Sequence, residues 1–140
     1  KLLLYLQIKI KTIYFKIMQT CPAKSIYEQL GGQKSLEALS KQLYDKILAD
    51  NKIKHFFVNT DINHQIKQQC DFLTMCFGGP NNYKGKTMRD THRGMGITDE
   101  EFNIVIQHIG QIMCEMGIQQ DLIKKCADIA ETTRCDIVGQ

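Results

Sequence analysis

The sequence predicts an all-α domain, and three observations carry that expectation. Apolar residues recur at helical spacing in every segment from Ser25 onward. No segment of this body alternates apolar and polar residues with period two. Ser, Thr or Asp stands at the start of the periodic stretches, and Gly closes several of them.

Taken in order, Ser25 can cap a short first helix, with Glu28 completing a capping box and Gly31-Gly32 stopping it. A second helix is expected over about 34–49, with Leu36, Leu39, Leu43 and Ile47 facing inward. Tyr44 lies beside that stripe, so its ring should be buried and its hydroxyl needs a partner. Asp50-Asn51 end this helix, and a single turn from Ile53 to Val58 presents Phe56-Phe57.

A third long helix starts after Asp61. Ile62, Ile66, Phe72, Leu73, Cys76 and Phe77 mark its apolar stripe; Lys67, Asp71 and Thr74 are expected on the opposite face. Gln65 and Gln69 fall inside the stripe. An amide in apolar surroundings costs a few kcal/mol unless something hydrogen-bonds to it, so two amides one turn apart ask for a shared polar partner. Gly78-Gly79-Pro80 then break the helix.

A short helix follows from about Thr87 to Gly94 and carries His92. Thr98-Asp99-Glu100-Glu101 is a capping box opening a helix striped by Phe102, Val105, Ile106, Ile109, Ile112, Met113 and Met116, with Gly117 as its stop. One last helix is expected from about Asp121, with Leu122, Ile123, Cys126, Ile129, Ala130 and Ile137 inward.

At 140 residues, with 43% hydrophobic and 24% charged residues, the chain fits one ordinary globular domain. The net charge of +3 is unevenly placed: residues 1–17 hold four lysines and no acid, which leaves the rest near neutral. A near-neutral body without a basic stripe argues against nucleic-acid binding. The apolar run in Leu2–Ile10 is too short to span a membrane, so no membrane role is expected. Residues 1–17 are expected to be a dispensable leader, disordered or a poorly supported strand or helix, lying upstream of a natural start near Met18, with the domain at 18–140. Six cysteines without a Cys-x-x-Cys pair suit a reducing compartment, and they lack the spacing of a zinc site.

His92 alone would read as a surface or capping histidine, and Gln65 and Gln69 as the edge of a helix face. Together, a histidine facing two buried amides is what a haem pocket needs. His64 lies about 100° around the helix from Gln65 and should point to solvent. His55 and His108 sit at stripe boundaries, and the methionines and cysteines read as core.

Several separate motifs then agree. Ser25–Gly32, Leu43–Asp50, His55-Phe56-Phe57, Phe72-Leu73, Gly78–Gly85 and Thr91–Thr98 resemble, in order and at matching spacing, the truncated haemoglobins of group I, over about residues 24–138 and with a protist-like cast. The resemblance implies a two-over-two helical sandwich enclosing haem b, with His92 as the proximal iron ligand. It implies that Tyr44, Gln65 and Gln69 hold bound oxygen, that Phe57 packs on the haem face and that Phe72 lines the pocket floor. Leu73, Tyr83 and Met88 are expected to help enclose the porphyrin. Val105 stands where the other groups of the family carry tryptophan, and the chain has none, which favours group I.

The expected function is reversible oxygen binding, for transport or storage, by a cytoplasmic monomer. The alternative is a nitric oxide dioxygenase using the same oxygenated haem. No flavin or nicotinamide module is fused within these residues, so that chemistry would need a separate reductase.

Overall fold

A computed structural model describes residues 7–13 and 23–140, and among these every regular element is helical. Residues 7–13 form an exposed helix, α1, on which Ile8, Ile10 and Ile13 are more than half exposed. The rest of the expected leader, and residues 18–22 at its boundary with Met18, Cys21 and Pro22, lie outside the described residues.

The body begins with α2 (Ile26–Leu30). Ser25 and Glu28 close the expected capping box, and Gly31 ends the helix at φ 105°. Helix α3 (Gln33–Ala49) buries Leu36, Leu39, Leu43, Tyr44 and Ile47, the anticipated face. Asp50 caps its end and meets His108 at 2.9 Å. The Lys52 backbone N–H and then the His108 ring hold the Asp50 carboxyl below its ordinary pKa. A 3-10 turn (Lys54–Phe57) follows, with the His55 ring lying 4.1 Å from that of Phe56.

Helix α4 (Ile62–Cys76) starts at Asp61, which accepts from the His64 backbone N–H at 3.1 Å. It buries Cys70, Leu73 and Thr74. Thr74 corrects the sequence reading, which put it on the outer face: only 3% of it is exposed. The apolar period marked one stripe, but α4 has two inward sides, one packed on α3 and one lining a cavity. At the α3 seam, burial raises the Cys70 thiol's pKa. Asp71, also expected outside, keeps only 17% of its side chain exposed, paired with Lys67.

The Gly78-Gly79 break is tied to α2 by Tyr27 N–H donating to Phe77 O at 2.8 Å. A Cβ on Gly79 would stand 2.7 Å from the Tyr27 ring, so this close approach requires glycine. Next come α5 (Met88–His92) and α6 (Asp99–Glu115), the latter opened by the Thr98–Glu101 capping box.

The expected single last helix is instead two: α7 (Gln120–Glu131) and α8 (Arg134–Ile137). The break has a local cause. The Thr132 and Thr133 hydroxyls donate to Ile129 O and Ala130 O at 2.6 and 2.7 Å, in competition with helical backbone bonding.

Helices α3 and α4 pack as one pair and α6 and α7 as another, joined where α3 crosses α6. The core at that junction is built from Leu36, Leu39, Leu43, Ile47, Ile112 and Met113, each no more than 2% exposed. Leu39→Ala should therefore lower unfolding free energy by about 2–5 kcal/mol, measured by urea denaturation, because close packing lets the site collapse only partly. Leu48, 41% exposed on the same helix, should tolerate alanine within about 0.5 kcal/mol; equal losses at both positions would contradict this core.

Candidate functional site

A cavity of about 520 Å³ opens between the two helical pairs and α5. That size falls within the range of roughly 300–1,000 Å³ typical of small-molecule and cofactor sites. Tyr44, Phe57, Gln65, Gln69, Phe72, Leu73, Tyr83, Met88 and His92, the nine residues singled out from sequence, all line it. They come from α3, the 3-10 turn, α4, the following loop and α5, so the cavity collects residues far apart in the chain.

His92 reaches the cavity from the last residue of α5 and is half-buried. Its Nδ1 lies 2.6 Å from Met88 O, one helical turn back. A carbonyl oxygen only accepts, so Nδ1 carries the proton and donates. In the neutral imidazole the lone pair is then on Nε2, the form that binds a metal, with its orientation already set by the second nitrogen. Thr87 caps α5 by accepting from the Asp90 N–H at 3.2 Å, so this histidine ends a properly started, very short helix.

Tyr44 is 2% exposed, and its ring meets Phe57 edge-on at 5.4 Å between centroids. Burial pushes its phenol up to about 12, while the Gln65 side chain acts the other way by hydrogen bonding. The phenol is therefore neutral across ordinary pH and can donate. Gln65 and Gln69 are half-buried on the α4 face that lines the cavity. Phe72 and Tyr83 pack edge-on at 5.3 Å, and Tyr83 is fixed by donating its hydroxyl to Lys86 O at 2.7 Å.

Sequence reasoning missed several polar lining residues, Gln68, Lys86 and Glu101 among them. Gln68 also faces the cavity and contacts the exposed His64 ring at 3.3 Å. Its position three residues after Gln65, hence on an adjoining face of the helix, was the available signal. Lys86 and Glu101 line the cavity as well; nothing in the helical period marks a loop lysine, and Glu101 reads locally as half of a capping box.

Cys76 is in the wall too, and burial raises its pKa, so it remains a thiol rather than a thiolate ligand. Cys70, Cys76, Cys114, Cys126 and Cys135 are free. Among the described residues, no group of three His, Cys, Asp or Glu side chains could hold a metal ion.

The comparisons with known proteins point the same way. The family model described as Bacterial-like globin matches residues 25–138. The chain is 44% identical over 117 residues to a group 1 truncated haemoglobin of Tetrahymena pyriformis, covering 84% of this chain and 97% of that one. It is 36% identical over 110 residues to the group 1 truncated haemoglobin GlbN of a Synechocystis species, covering 76% and 89%. The crystal structure of the Tetrahymena pyriformis protein in its Fe(III) form superposes with a TM-score of 0.82, covering 84% of this chain and all of that one. Crystal structures of its variants with one tyrosine or one of two glutamines replaced match equally.

The burial of Tyr44 has a measurable consequence. Ultraviolet titration should show a late tyrosine step near pH 12, and Tyr44→Phe should remove it. The folded chain keeps this proton to higher pH than the unfolded chain, so stability falls as pH rises from 10.0 toward about 12. The phenylalanine variant should lose less over that interval; an identical loss would mean the ring is not desolvated.

Proposed function

The chain belongs to the group 1 truncated haemoglobins, and from that premise we propose that it holds haem b on His92 and binds dioxygen reversibly, as a carrier or store. The observation that most supports this is the convergence of nine expected residues on one cavity, with the His92 imidazole already in the tautomer that leaves Nε2 free. Haem, when bound, would supply an iron that a protein imidazole can hold and that can take up a small ligand.

The chain's own residues divide the remaining work. Phe57, Phe72, Leu73, Tyr83 and Met88 offer apolar surface to the porphyrin and keep water away from it. Lys86, the one lysine or arginine among the described lining residues, offers a cation to the carboxylates at the haem edge. Tyr44, Gln65 and Gln69 provide donors for a bound gas molecule. Each such hydrogen bond in a dry pocket is worth about 1–1.5 kcal/mol, roughly tenfold in affinity. Support for this trio comes from the Tetrahymena pyriformis variants, whose replaced tyrosine and glutamines are separated by the same intervals along that chain as Tyr44, Gln65 and Gln69.

We read the protein as a cytoplasmic monomer whose residues 1–17 are dispensable for gas binding. Among the described residues no helix is long and apolar enough to cross a membrane. Nitric oxide oxidation to nitrate, with a separate reductase, would use the same cavity.

His92→Ala should abolish haem retention, and a normal Soret band in that variant would overturn the ligand assignment. Tyr44→Phe should speed oxygen release about tenfold in stopped-flow experiments, consistent with one lost donor; an unchanged rate would remove Tyr44 from the ligand network. Stopped-flow mixing of the oxygenated protein with nitric oxide, in the presence of cell extract, separates the two uses. Sustained rapid turnover would replace the carrier reading with the dioxygenase.

A further inference from the structure

The helix that presents His92 is only five residues long. A helix of that length does not sustain itself and takes its position from what it packs on. The element packed most closely on α5 is α8. Arg89 on α5 donates through Nε and Nη2 to Asp136 Oδ1, at 3.2 and 3.1 Å.

Just beyond His92 the contact continues through the backbone. Gly96 N–H donates to Gln140 O, and Gly139 N–H donates to Ile97 O, each at 2.9 Å. Gly96 and Gly139 have φ of 62° and 73°, and a Cβ on either would meet nothing within 4 Å. Backbone conformation, not space, therefore calls for glycine at both donors of this backbone contact.

The segment that makes these contacts is itself anchored. Arg134 Nη1 donates to Asp99 Oδ1 and Nη2 to Asn103 Oδ1, both at 2.6 Å. Its guanidinium carbon lies 4.4 Å from the centre of the Phe102 ring, which lines the cavity. Ile137, in the same segment, lines the cavity with His92.

We propose that residues 134–140 brace α5 against α6, making Asp136, Gly139 and Gln140 positioning residues for the His92 imidazole. Through this brace, α8 and the start of α6 set where Nε2 sits and how much that position fluctuates. The ion pair is half-exposed and contributes little by itself. The two backbone bonds and the Arg134 anchor carry most of the restraint. The proposal rests on His92 being the proximal ligand, but the restraint on α5 belongs to the polypeptide and is measurable without haem.

The test uses the full chain carrying Gly139→Pro, which removes a donor N–H and forbids the positive φ, at a position 47 residues from His92. Hydrogen exchange of the haem-free protein should speed by about tenfold at residues 88–93, the factor expected for losing one net backbone hydrogen bond, and stay unchanged in α3. In the ferrous haem-loaded protein, the iron–imidazole stretching band in the resonance Raman spectrum should shift or broaden. Asp136→Ala should give a smaller change, and combining Arg89→Asp with Asp136→Arg should restore exchange at 88–93 toward wild type. Unchanged exchange and an unchanged band in Gly139→Pro would overturn the brace. So would exchange rising equally in α3 and α5, which would signal global destabilisation. If His92→Ala retained the iron–imidazole band, the ligand assignment would fall whatever the exchange at 88–93 showed.

Discussion

A chain of this length that keeps a cavity of about 520 Å³ has to draw its cohesion from contacts elsewhere. Here they are concentrated where α3 crosses α6, with Leu36, Leu39, Leu43, Ile47, Ile112 and Met113 packed out of contact with water. That junction holds the two helical pairs apart as well as together. One side of α4 is pressed on α3, while its other side is left to line an open space. The site is possible because the core is displaced from it.

Within that space two polar groups are held in defined states. Tyr44 is kept neutral by burial and so can donate. His92 is kept in a single tautomer by Met88 O and so presents a lone pair. These are opposite requirements, a donor on one wall and an acceptor on another, and different helices meet them: α3 with α4 for the phenol and amides, α5 for the imidazole. Preorganisation of this kind lets binding proceed without ordering side chains first.

Much of this was legible in the residues. The caps at Ser25 and Thr98 and the stop at Gly31 lie where the sequence suggested, because capping is chemistry between residues three apart. The glutamines of α4 were noticeable because an amide in an apolar stripe is a local anomaly. Thr74 was misread, since a hydroxyl looks like a surface residue until a second helix covers it. The final helix was drawn too long, because the apolar spacing continues through Thr132-Thr133 while the hydroxyls redirect the backbone. Gln68 and Lys86 escaped for a related reason: a polar residue next to a predicted face, or in a loop, carries no periodic signal.

The sequence by itself determined where most helices start, which residue types could form a gas-binding pocket, and which family the chain resembles. Those depend on spacings of a few residues and on side-chain chemistry, both local quantities. Only the tertiary structure decided that Gly139 and Gln140 lie beside Gly96 and Ile97, that Arg134 reaches Asp99, and that α5 leans on α8. Such pairings join residues more than thirty positions apart. They are selected by the joint packing of several helices, an interaction that no short stretch of the chain encodes alone.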